Sequence, residues 1–132
     1  HAARTTAGPQ TKRVYESAHA LSTTLAQVPV HVIPCIEGRL DRAPLVIAAS
    51  AWGSIIPAAW SFMLALRARG LGSVWTTLHL SKANEVGELL GIPDDVTQAA
   101  LLPVAYTVGT DFKPAVRPPV ESITSWDGWG AC

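Results

Sequence analysis

The stretch Ser54–Leu80, SIIPAAWSFMLALRARGLGSVWTTLHL, combines an apolar helix-like run, a marked helix end and two adjacent threonines. Pro57 suits the start of a helix or lies within a turn of it, Arg67 and Arg69 complement its last turn, and Gly70 stands where a left-handed cap belongs. Ala58, Ala59, Trp60, Phe62, Met63, Leu64, Ala65 and Leu66 surround the helix axis, so this helix is expected to be buried on more than one side, in the core or against a second subunit. Beyond it, SVWTTLHL reads as a strand, because Thr and Trp suit a pleated, half-buried surface. The same Trp75, Thr76 and Thr77 also offer an aromatic face, hydroxyls and backbone N–H donors to a ligand at the helix-to-strand handover. Local sequence leaves both readings open.

Upstream, HAARTTAGPQ (residues 1–10) reads as a linker or loop continuing from a missing upstream segment. Thr11 is expected to cap a helix running to about Ala26, with Val14, Ala18, Leu21 and Leu25 on one face. VHVIPCI then reads as a buried strand near the sheet centre, with Pro34 implying a bulge or exposed edge. Downstream, Ser81 is expected to cap a helix whose Val86, Leu89 and Leu90 face inward and which ends at GIPDD. AALLPVAYTVG reads as a buried strand, and the proline-bearing residues 113–132 form an extended arm that wraps over something. Residues 11–112 make the α/β core. Its three convincing strands are few for a sheet, so further strands must come from a missing segment, a partner chain or the arm.

Ten Lys/Arg balance ten Asp/Glu, which removes the electrostatic footprint of a nucleic-acid binder. The charge-free run from Ala43 to Leu66 is long enough for a bilayer, but Pro44, Gly53, Pro57 and interspersed serines divide it into pieces better suited to a core. With no basic-then-apolar leader, the expectation is a cytoplasmic protein without a membrane partner. Cys35 and Cys132 show no metal-ligand spacing with any histidine, so no metal site is expected; Cys35 reads as a buried structural thiol.

Ser54, Ser61 and Ser73 lack a nucleophile elbow, and His19, His31 and His79 read as packed or surface imidazoles. Arg117 is the better candidate. It is held between AV and PP on a stiff backbone, and its guanidinium fork suits a phosphate, although a solvated arginine gives the same pattern.

Taken in order, GSIIPAAWSFMLALRARGLGSVWTT, ELLGIPDDV, ALLPVAYTVGTDFKPAVRPP and SWDGW resemble the C-terminal half of the flavin-dependent nitroreductase family, over about Lys12 to Trp129. The resemblance implies an α+β fold, a mixed sheet flanked by helices, in which the N-terminal portion of the family fold is absent. It implies an intertwined homodimer with FMN at the subunit interface. Reducing equivalents would pass from NAD(P)H to nitro compounds, quinones or similar small-molecule acceptors in a ping-pong mechanism. By resemblance to the iodotyrosine deiodinase branch, Trp75, Thr76 and Thr77 are FMN contacts, Thr77 is the catalytic donor to flavin N5, and Arg117 grips the phosphate. The family's N-terminal Arg-x-Ser-x-Arg-like motif has no match here, so the chain alone is expected to be an inactive fragment. The alternative is a flavin-free remnant that dimerises or binds a partner.

Overall fold

The computed structural model describes residues 9–109 and 111–130; residues 1–8 of the linker expected over residues 1–10, and the terminal Cys132, lie outside them, while Pro9 and Gln10 are helical rather than linker. Helix α1 spans Pro9–Thr24, strand β1 Val30–Val32, β2 Cys35–Glu37, helix α2 Leu45–Arg67, β3 Leu71–Ser73, α3 Ala83–Leu90, β4 Val96–Gln98 and β5 Leu102–Tyr106. Short 3-10 turns at Leu25–Gln27, Leu40–Arg42, Leu78–Lys82 and Val120–Ile123 complete the described elements. Strand β5 is central to a three-stranded antiparallel sheet ordered β1-β5-β3, while β2 and β4 pair as a separate antiparallel ribbon.

The segment VHVIPCI is therefore two strands rather than one. Val30 faces Val104 and Val32 faces Leu102 in one sheet; after Ile33-Pro34, Cys35 faces Gln98 in the other. Pro34 has no N–H to give a ladder, but its carbonyl accepts Ala99 N–H at 2.8 Å, so the proline becomes the point of transfer between sheets. Strand β1 is an edge, not the sheet centre, and Val30 is half exposed. Cys35 is exposed as well, contrary to the buried thiol expected, because a two-stranded ribbon covers only one of its faces.

Helix α2 corrects the sequence reading most. It begins at Leu45, with Pro44 at its N-cap, and runs unbroken through Pro57 to Arg67. Pro57 leaves the Gly53 carbonyl without its helical donor, a local loss that the bonds on either side outlast. At the other end the reading holds: Gly70 has φ +75° and donates its N–H to Arg67 O at 3.1 Å. The expected burial on several sides is not met within one chain. Of α2 only Ala59 is buried, while Leu45, Val46, Ile47, Trp60 and Leu64 are largely exposed. By length and composition this helix is apolar enough to cross a membrane.

Two other helix boundaries shift. Helix α1 starts at Pro9, which puts Thr11 inside it. Ser81 lies in the 3-10 turn, its hydroxyl donating to Leu78 O at 2.8 Å, and α3 begins two residues later. Gly91 ends α3 in the left-handed conformation, as expected, but Leu89 and Leu90 are exposed rather than inward. Strand β4 has no signature in the sequence because its polar Thr97 and Gln98 are claimed by tertiary contacts. Gln98 is buried and donates Nε2 to Ala83 O, and Thr97 Oγ1 bonds Gly38 O and accepts Leu40 N–H.

The core is small: Ala59, Ala100 and Leu102 form its buried centre, with Val32, Met63 and Trp75 packed around it. The small side chains of Ala59 and Ala100 leave Leu102 as the largest fully buried side chain among the described residues. Leu102→Ala is expected to destabilise the protein by about 2–5 kcal/mol, from lost transfer energy plus the cavity left behind. Chemical denaturation checks it; a loss below about 1 kcal/mol would place the main core elsewhere.

Candidate functional site

After Ser73 the strand does not continue through TTLHL as the sequence suggested. Thr76 instead makes an isolated bridge to Leu101: its N–H reaches Leu101 O at 3.1 Å, its carbonyl accepts Leu101 N–H at 2.8 Å, and its Oγ1 donates to Leu101 O at 2.8 Å. Trp75 packs against the Ala59, Ala100 and Leu102 cluster, while Thr77, where the chain leaves the bridge for the 3-10 turn, is exposed. Thr77 accepts Leu80 N–H on its carbonyl at 3.0 Å, which starts the 3-10 turn. Its hydroxyl and its own N–H bond nothing among the described residues.

These residues form one wall of a cavity of about 920 Å³. Val74–Leu78 face it from the segment after β3, Arg13, Val14, Ser17 and Ala18 from α1, and Lys113–Val116 from the arm. The structure thus brings Trp75, Thr76 and Thr77 together with the arm. Arg117 follows directly on Val116 but is not itself in the wall. Arg13 and Lys113 bring positive charge, no carboxylate lines the cavity, and neither cation has an ion pair among the described residues. Sequence reasoning missed both, because only the folded chain sets α1 against the arm. The Arg13/Ser17 spacing, one helical turn, was a signal that could have found that wall.

The chemistry available is anion recognition at one side and hydrogen-bond donation from Thr77 at another, over an otherwise apolar lining. Thr76 spends its hydroxyl proton on Leu101, so only its oxygen lone pairs remain for a ligand. Among the described residues no group of His, Cys, Asp or Glu could hold a metal ion.

A mixed helix-and-sheet protein with a cation-lined cavity beside a helix-to-strand turn is the class defined here. The family model described as the nitroreductase family matches residues 2–109, and the chain belongs to that family. Arg117 and the SWDGW segment lie outside the matched residues. Among solved structures, the fold is similar to the nitroreductase-like family protein from Bacillus cereus, with TM-score 0.64 and 17% identity over 89% of this chain and 61% of that one. It is also similar to a BluB-like flavoprotein from Clostridium difficile 630, with TM-score 0.60 and 19% identity over 93% of this chain and 65% of that one. The chain thus spans less than two thirds of the length of either. No curated protein sequence matches significantly.

Two residues beyond Thr77, both ring nitrogens of His79 are buried without a hydrogen-bond partner among the described residues, and burial holds the imidazole below its ordinary 6.5. The unfolded chain therefore takes up the proton first. The neutral imidazole's contribution is whole above pH 6.5 and is lost as pH falls below it. Asp41 and Glu85, lowered by hydrogen bonds from Arg39 and Lys82, lose their contributions only in the carboxylate range, below about 4. A stability profile between pH 7 and 5 should accordingly decline, and His79→Leu should flatten that limb while leaving the decline below pH 4.

Proposed function

We propose that the cavity between α1, the Trp75–Leu78 turn and the arm binds FMN, and that the protein uses NAD(P)H to reduce nitro compounds, quinones or similar acceptors. The observation that supports this reading is the lining itself: cations without carboxylates at the arm and α1, beside a threonine with unengaged donors. The cavity's volume lies within the range of about 300–1,000 Å³ common for cofactor and ligand sites. Bound there, FMN supplies hydride acceptance and release at N5, in alternating half-reactions with NAD(P)H and an acceptor.

Each residue then has a definable task. Lys113 and Arg13 supply positive charge toward the phosphate, and Arg117 adds its fork from the next position in the arm. Thr77 donates from its hydroxyl or N–H to N5, and Trp75, fixed in the core, holds that donor in place while offering an aromatic edge to the ring system. Thr76 works through its bridge to Leu101, which sets the turn. The BluB-like neighbour is titled a flavoprotein, which agrees with this reading. The reading includes these residues acting as the C-terminal half of a longer, cytoplasmic family member, with an upstream helix completing the phosphate and ring contacts.

Arg117→Ala and Thr77→Ala separate holding from tuning. Arg117→Ala should weaken FMN binding roughly 10- to 100-fold, the range for a hydrogen bond to a charged group. Thr77→Ala should change affinity less but shift the flavin reduction potential, because only a bond whose strength differs between oxidised and reduced rings alters that step. Titration of the flavin-free protein with FMN and a redox titration of the loaded protein measure both. Visible absorbance of the purified protein decides against the flavin-free alternative.

The reading also makes the protein a homodimer through α2. Its exposed apolar side chains need a cover, and a second copy supplies one. A bilayer does not suit it: Ala59 of the same helix packs against Leu102, and α2 lies against β3, whose sheet would carry unpaired edges into lipid. Trp60→Asp or Leu64→Asp should yield monomeric or insoluble protein on size-exclusion chromatography with light scattering. A soluble, FMN-loaded dimer carrying either change would move the interface away from this face.

A further inference from the structure

The arm lies across the proposed cofactor cavity without a strand or helix to hold it. Among the described residues from Asp111 to Pro119, no backbone group donates to another element. A cation–π contact crosses from the arm to the folded core: the guanidinium carbon of Arg67 stands 4.5 Å from the centroid of the Phe112 ring. Arg67 is the last residue of α2, where a cation is favoured by the helix C-terminus, so its position is tied to the most continuous element in the chain. Phe112 remains 61% exposed, so burial of apolar surface is not what seats it.

The placement of this contact gives it leverage. Phe112, with Trp60, Leu64, Arg67 and Tyr106, lines a second, largely apolar cavity of about 480 Å³. The very next residues, Lys113–Val116, are the arm's wall of the cation-lined cavity, and Val74 borders both. Pro114, Pro118 and Pro119 stiffen the chain beyond Phe112. From Phe112 to Arg117 an extended, proline-stiffened chain measures about 15 Å, so a swing of about 20° at Phe112 displaces Arg117 by about 5 Å. That displacement takes a guanidinium out of hydrogen-bond reach of a phosphate.

We infer that Arg67 and Phe112 are a positioning pair: their cation–π contact holds the arm in register over the cavity, placing Lys113 and Arg117 without either member touching the ligand. As to the ligand, the inference rests on the FMN reading; as to the arm, it stands on the contact alone. The pair also links the α2 face proposed to meet a second copy with the segment that closes the cofactor cavity.

Chymotrypsin reports the seat directly, since it cleaves after Phe112, and mass spectrometry separates that cut from those at other aromatics. In flavin-free protein, Arg67→Ala should speed cleavage at Phe112–Lys113 about two- to fivefold, the size expected of an exposed cation–π contact, and Arg67→Lys should fall between. In FMN-loaded protein, Arg67→Ala and Phe112→Leu should each raise the FMN dissociation rate by a similar factor. Phe112→Tyr should keep the original rate, and the double variant should be no faster than the single ones. Unchanged cleavage in Arg67→Ala, or a double variant whose effects multiply, overturns the pair. Faster cleavage with an unchanged FMN dissociation rate overturns its positioning role. If the unsubstituted protein takes up no FMN, the flavin reading is what fails, and the cleavage rates still decide whether the pair holds the arm.

Discussion

Three hydrogen bonds join Thr76 to Leu101, and most of the molecule is arranged by them. They tie the end of the β3 ladder to the residue just before β5, so that Leu102 enters the centre of the sheet from a fixed point. Trp75 is thereby pressed onto Ala59 and Leu102, and Thr77 is turned to face the cavity. A hydroxyl in an exposed strand would be free to serve a ligand; this one is consumed in holding its neighbours apart, one inward and one outward. Three consecutive residues thus divide the labour among core, frame and site.

Much of this was legible where one residue type has one strong preference. Gly70 and Gly91 are helix ends because the left-handed conformation is open to them, and the arm is extended because its prolines exclude a helix. Pro57 misled for a related reason. A proline is read as a boundary, but a helix loses only one hydrogen bond to it when the residues on both sides are strongly helical, and Pro44 marked the true beginning. Strand β4 was illegible because Thr97 and Gln98 are buried by partners on remote segments. The site divides the same way. Trp75, Thr76 and Thr77 are contiguous and could be read from composition and resemblance, whereas Arg13 joins the same cavity only through the placement of α1 in the folded chain, which no local pattern encodes.

The structure also separates two meanings of an apolar helix. The residues that surround the axis of α2 imply a demand for burial from all sides, yet the chain meets that demand along only one line, at Ala59. Small residues on that line allow close approach to the sheet; large ones elsewhere present surface. Sequence determines the amount of apolar surface but not the body that covers it, since intramolecular and intermolecular contact ask for the same side chains.

That imbalance has a thermodynamic consequence. A chain whose largest fully buried side chain is a single leucine has little apolar burial of its own to set against the conformational entropy of ordering its backbone. If a second copy covers α2, as proposed, that copy contributes to the folding equilibrium itself, and by mass action the melting temperature rises with protein concentration. Dilution, which leaves every intramolecular contact unchanged, would then lower the stability of each chain.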